Sequence, residues 1–211
     1  LLIILDAHHG GEHLSGYLLL GHIPRHCGRG IAFIAVDELV DGKGGVAAAG
    51  VIYLHHAVID ESGKQIAGCF RPTSELPMHT EAYKLREDIV GVIHTHAPFL
   101  TAHALCNLPV ETRAYPEMMG NFGRFEVAPY GRPGTDAIFD GAAKILKEKD
   151  ICLLGNHGAI AVGRDLMDAM NKMEAAESIA KTLYIAHQMG KPVDLSESEC
   201  AFFFSLSSHK R

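Results

Sequence analysis

The chain has 211 residues, 47% of them hydrophobic, and a formal net charge of −6; this length fits one domain, residues 1–211, with a sizeable core. Charged residues are spread along it, with no basic stretch beyond the terminal Lys210-Arg211, which argues against a nucleic-acid groove built to neutralise phosphates. No apolar run reaches the length of a membrane span, so no membrane partner is expected.

Residues 1–20 read as a helix, weakened by Gly10, Gly11 and Gly16. Residues 31–36 and 51–59 are rich in β-branched and apolar side chains and read as strands. Asp41-Gly42-Lys43-Gly44-Gly45 between them reads as a loop, and Glu61-Ser62-Gly63-Lys64 as a hairpin turn. Thr73 or Ser74 is a good N-cap for a helix over 75–86, where Pro77 is tolerated in the first turn. Ile89-Val90-Gly91-Val92-Ile93 is a buried strand running into His94. A short helix over 98–105, a strand over 125–129 and a loop over 131–134 follow. Thr135 or Asp136 caps a helix to 147. Ile151-Cys152-Leu153-Leu154 and Ala159-Ile160-Ala161-Val162 form a strand pair around Gly155-Asn156-His157-Gly158. The last predicted element is a long helix over 165–187. There Leu166, Met170, Met173, Ile179 and Leu183 give a mostly apolar face, and Glu177 can pair with Lys181 at i,i+4. Strands and helices interleave, which places the chain in a layered α/β or α+β class.

The five cysteines, Cys27, Cys69, Cys106, Cys152 and Cys200, are widely spaced without a Cys-x-x-Cys pair. That is the pattern of reduced thiols in a cytoplasmic protein. The first five residues are apolar but too few for a signal segment, and no basic residues precede them. The chain begins at Leu1 rather than Met, so its natural start is expected upstream.

His94-Thr95-His96 carries the chemistry. Residues two apart on a strand point to the same face, so both imidazoles project together from the end of a rigid element. His157 follows another strand in a similar setting. Three imidazoles with an open fourth position is a common layout for catalytic zinc. A lone histidine after a strand is equally a hydrogen-bonded structural residue, and spacing alone leaves both readings open. Glu75 is in turn a favourable first-turn acid for the helix dipole, and Thr73 and Ser74 are caps or, at a helix start, an anion site. His79 falls four residues after Glu75 on the same helix face; His103, on the next helix, reads as structural.

Taken together, Pro72-Thr73-Ser74-Glu75, Val92-Ile93-His94-Thr95-His96, Ala128-Pro129-Tyr130 with Pro133-Gly134-Thr135, and Leu154-Gly155-Asn156-His157-Gly158 resemble the class II aldolase/adducin family, nearest its L-fuculose-1-phosphate aldolase branch. The likeness runs from Arg71 to about Leu195. It implies a three-layer α/β/α fold with a central, mainly antiparallel sheet, and a homotetramer with active sites at subunit interfaces. It implies a divalent metal, usually zinc, on His94, His96 and His157; manganese, cobalt or nickel suit the same ligands. Glu75 matches an acidic residue that ligates the resting metal or acts as base. Thr73 and Ser74 match hydroxyls that hold the substrate phosphate, and Tyr115 falls where the aldolase branch carries a tyrosine proton donor.

The chain departs from the family in its first third. Gly28-Arg29-Gly30-Ile31 and Gly44-Gly45-Val46 stand where Asn and Thr side chains usually touch phosphate; the backbone N–H groups of Gly30 and Gly45 remain as donors in an anion-binding nest. Phe202-Phe203-Phe204-Ser205 lacks a tyrosine that the branch can use from a neighbouring subunit. The expected activity is cleavage of L-fuculose 1-phosphate to dihydroxyacetone phosphate and L-lactaldehyde. The alternatives are a pentulose-5-phosphate 4-epimerase, a sugar-phosphate dehydratase, or an adducin-like binding module without catalysis.

Overall fold

The computed structural model describes residues 3–7, 31–33, 57–60, 63–68 and 72–208. In chain order the elements are β1 (Ile3–Ala7), β2 (Ile31–Phe33), β3 (Ala57–Ile59), β4 (Gln65–Gly68), α1 (Leu76–Tyr83), β5 (Gly91–Thr95), α2 (Pro98–Leu105), α3 (Pro116–Asn121), β6 (Glu126–Ala128), α4 (Ala137–Leu146), β7 (Ile151–Leu154), β8 (Gly158–Gly163), α5 (Leu166–Met189) and α6 (Glu197–Ser208).

Every residue of β5, β7 and β8 is buried, as expected of apolar strands covered on both faces. They form the middle of a five-stranded sheet of order β1-β5-β8-β7-β6. β8 runs antiparallel to both its neighbours, while β1 and β6 add parallel strands at the edges. β2, β3 and β4 form a separate antiparallel sheet. The β3–β4 hairpin closes through Asp60, whose amide donates to the Lys64 carbonyl at 2.9 Å, with Gly63 at φ 83°, in the left-handed region that glycine adopts freely.

Side-chain alternation then makes the layers. Ile93, Ile151, Leu153, Ala159 and Ala161 face one side and pack with Leu100 of α2 and Leu166, Met173, Ile179 and Leu183 of α5. Val92, Cys152, Leu154, Ile160 and Val162 face the other and pack with Met78 of α1 and Ile138, Phe139 and Leu146 of α4. The architecture is α/β in three layers, helix–sheet–helix. Among the described residues no helix is long and apolar enough to cross a membrane.

Several expectations need correction. Ile3–Ala7 is a strand pairing in parallel with β5, not the start of a helix; its β-branched and apolar residues find an open sheet edge. The remainder of 8–20, the 41–45 loop, and residues 34–36 and 51–56 lie outside the described residues. Helix α3 and helix α6 were not anticipated. Glu177 does not pair with Lys181. Its carboxylate instead accepts from the Phe99 and Leu100 amides at 3.0 and 2.9 Å, capping α2, while Lys181 lies over the Phe99 ring.

Candidate metal centre and active site

His94 sits near the end of β5, fully buried, on the face that packs against α1. Its Nδ1 lies 2.9 Å from the Ala159 carbonyl on the paired strand β8. That carbonyl can only accept, so Nδ1 carries the proton and Nε2 presents its lone pair, the arrangement that orients a ligating histidine. Burial pushes its pKa down to about 3, against the opposing pull of Glu75, and the ring stays neutral.

His96 lies one residue past the strand, on the same side as His94. His157 lies in the turn that joins β7 to β8. Asn156 there takes a left-handed φ of 58°, which Asn tolerates better than most residues. The turn is pinned by the Gly155 amide on the Ala128 carbonyl, the Asn156 amide on the Ala104 carbonyl and the His157 amide on the Leu154 carbonyl. Next, Gly158 leaves space for the rings: a Cβ there would lie 2.7 Å from His96 Cδ2 and 3.2 Å from His94 Cε1. The Asn-His-Gly order is thus a local steric requirement.

Glu75 enters from the opposite layer, at the start of α1. The Thr73 hydroxyl accepts from the Glu75 amide at 3.2 Å, and Pro77 occupies the first turn, where its missing N–H costs nothing. The carboxylate is buried, and Oε2 lies 3.2 Å from His157 Nε2 and 3.4 Å from His94 Nε2. The three Nε2 atoms are themselves 3.2, 3.4 and 3.1 Å apart for the pairs 94–96, 96–157 and 157–94. The three nitrogens form a nearly equilateral triangle, and a point just off its centre lies about 2 Å from each, the bond length of zinc to imidazole nitrogen. The donor set therefore fits a divalent metal ion, and the three histidines are placed to hold one.

The other sequence candidates fall as follows. Ser74 is exposed at the start of α1, with the 131–134 loop beside it: a Cβ on Gly134 would lie 3.8 Å from the Ser74 carbonyl. Tyr115 is not brought to the histidines within the chain. It precedes α3 and packs against the α2–α5 layer, away from the face that carries His94. A hydrogen bond to Glu117 holds its pKa above the usual phenol value. Gly30 and Gly45 lie outside the described residues. His103 is a structural residue, its Nδ1 lying 3.2 Å from the Leu108 carbonyl. His79 lies closer to the centre than its spacing alone suggests. It is fully buried, its ring 6.5 Å from that of His94, and burial followed by the nearby His94 drives its pKa well below the ordinary value. Its position at Glu75 plus four was the available signal.

Residues 45–184 match the model of the Class II Aldolase and Adducin N-terminal domain family. The chain belongs to this family. Among class II aldolase relatives it is 33% identical over 143 residues to the 5-deoxy-D-ribulose 1-phosphate aldolase of Bacillus thuringiensis, covering 67% of this chain and 66% of that protein. It is 30% identical over 129 residues to a 3-oxo-tetronate 4-phosphate decarboxylase of Pectobacterium atrosepticum, covering 59% and 58%. The chain thus spans about two thirds of the length of the first relative and less of the second. A solved structure of L-fuculose 1-phosphate aldolase superposes with a TM-score of 0.63 at 31% identity, covering 71% of this chain and 70% of that one.

Proposed function

We propose that the chain, as a single class II aldolase domain, is a metal-dependent aldolase that reversibly cleaves a ketose 1-phosphate to dihydroxyacetone phosphate and an aldehyde. The favoured substrate is L-fuculose 1-phosphate, giving L-lactaldehyde, and the favoured metal is zinc. The observation that carries this reading is the convergence of His94, His96, His157 and Glu75 from one strand end, a turn and a helix start. The kinship with a 5-deoxy-D-ribulose 1-phosphate aldolase supports a ketose 1-phosphate as the substrate class.

An ion bound to these ligands would supply Lewis-acid stabilisation for the negative charge that develops beside the carbonyl as the carbon–carbon bond breaks. The protein's own groups do the rest. The neutral His94, with its proton fixed on Nδ1, offers Nε2 inward. Glu75 is buried beside the reacting centre and moves a proton at the carbon that loses the aldehyde. Thr73 and Ser74 at the start of α1, with the backbone of Gly30 and Gly45, hold the phosphate. Tyr115 exchanges the proton of the aldehyde oxygen, and it does so from a neighbouring copy, since within one chain it stands on the other face of the sheet. The proposed assembly is the homotetramer with sites at subunit interfaces that the family resemblance implies, and the proposed location is the cytoplasm.

A second reading keeps the centre and changes the bond. The 30% identity to a 3-oxo-tetronate 4-phosphate decarboxylase favours a sugar-acid phosphate that loses CO2 instead of an aldehyde, since both reactions leave the same charge beside a carbonyl. The deciding experiment measures triose-phosphate release from L-fuculose 1-phosphate and 5-deoxy-D-ribulose 1-phosphate, and CO2 release from 3-oxo-tetronate 4-phosphate, before and after chelation. Triose phosphate that disappears on chelation and returns with zinc supports the aldolase. Release of CO2 alone supports the second reading.

A further inference from the structure

His79 is a buried polar group near the centre to which the reading above gives no task. It is fully buried, and neither Nδ1 nor Nε2 has a hydrogen-bond partner among the described residues. Met78, Ala82, Val92 and Ile160 form the apolar part of the layer between α1 and the sheet. A buried polar group without a partner forfeits its hydration, so a ring wanted only for its volume would be better served by Phe or Leu. The nitrogens need a reason.

Two placements supply one. The His79 ring stands edge-on to His94, at 6.5 Å and 74°. It also lies one helical turn after Glu75, and its amide donates to the Glu75 carbonyl at 3.4 Å; side chains four apart share a helix face. The Glu75 carboxylate lies beside two of the three ligand nitrogens, those of His157 and His94. A substrate that presents both a carbonyl and a hydroxyl oxygen needs room there, and a buried carboxylate that gives way must find another donor. We propose that His79 is a positioning residue: its ring N–H receives the Glu75 carboxylate when substrate oxygens enter the centre, and holds it ready for proton transfer. This rests on the metal-site reading above.

The test uses cobalt-loaded protein and acetohydroxamate, a ligand with two oxygens, titrated by the visible spectrum in the wild type, His79→Phe and His79→Gln. His79→Leu replaces the Phe variant if that one does not fold. All three proteins should bind one cobalt with similar affinity, and His79→Phe should melt at or above the wild type. Acetohydroxamate should bind His79→Phe on the order of tenfold more weakly, as for loss of a hydrogen bond to a charged group, and kcat should fall with it. His79→Gln, which keeps an N–H donor, should recover most of both. Equal hydroxamate affinity in wild type and His79→Phe, or equal impairment of the Phe and Gln variants, overturns the proposal. Failure of the wild type to take up cobalt, or equal uptake by His96→Ala, overturns the metal-site reading instead.

Discussion

Gly158 and His96 are in contact across the β5–β8 pair, so close that a methyl group on Gly158 would stand 2.7 Å from His96 Cδ2 and 2.5 Å from the Thr95 carbonyl. The second obstacle is backbone in a central strand and cannot move aside. Gly158→Ala should therefore shift the His96 and His94 rings and cost about 1–3 kcal/mol of stability, the usual range for overpacking. Metal content by elemental analysis and the melting temperature check this together. A variant with wild-type metal content and unchanged Tm would show that the contact carries no constraint.

Glu75→Gln should leave the fold and metal loading nearly intact, because three imidazoles remain. Turnover should fall by about 10²–10⁴-fold, the range for an acid–base group. His96→Ala should lose both metal and activity. Steady-state kinetics beside metal stoichiometry separates the two variants. If Glu75→Gln turns over at a near-normal rate, Glu75 serves only the start of α1.

What could be read in the sequence was what depends on local pattern. The strand ends at His94 and His157 follow from apolar runs broken by polar residues, and the Asn-His-Gly turn from its backbone demands. Helix α2 was read to its observed limits, Pro98–Leu105, because Pro98 marks its first turn. The failures came where distant partners decide. Ile3–Ala7 became a strand because β5 offers an edge. Helix α3 has six residues and opens on Pro116, too short for a periodic signal. Helix α6 packs Phe203 against Gly120 of α3, a contact with no local signature. Tyr115 was legible as a motif position but not as a place in space, since nothing in Arg113-Ala114-Tyr115-Pro116 says which face of the sheet it joins.

Acid should weaken the metal-free protein in a defined window. Burial lowers the folded-state pKa of His94 to about 3, while the unfolded value is about 6.5. Between these values the unfolded chain binds a proton that the folded chain does not, so stability rises with pH there and is lost as pH falls. From pH 7 to pH 5 His94 alone should cost about 2 kcal/mol, and the buried His79 acts in the same direction. Asp150 and Asp168 add to the loss only below about pH 5, as the unfolded aspartate value of about 3.9 is approached. Burial would raise both, but hydrogen bonds from Arg86 and Lys172 to Asp150, and from Lys172 and Arg164 to Asp168, hold them below the usual carboxylate range. Urea midpoints of the apoprotein at the two pH values give the measurement; a His94→Asn variant should lose its share of the slope. Equal midpoints for wild type at pH 7 and pH 5 would contradict the buried neutral histidine.

Glu177 offers a test of packing independent of the metal. Its two carboxylate oxygens accept from the amides of Phe99 and Leu100, so a side chain in the middle of α5 supplies the cap that Ala97 at the start of α2 does not. These are charge-assisted bonds to amides that would otherwise lack a helical partner. Glu177→Ala should cost about 1–3 kcal/mol, and Glu177→Gln less, since one amide oxygen can still accept. Lys181→Ala should change little, because it forms no ion pair with Glu177. Because α2 leads directly from His96 and its Ala104 carbonyl holds the Asn156 amide, loosening the cap should also weaken metal retention. Thermal melts of the three variants with and without metal decide it. If Lys181→Ala proves as damaging as Glu177→Ala, the helical ion pair expected from the sequence is the true contact, and the cap is not.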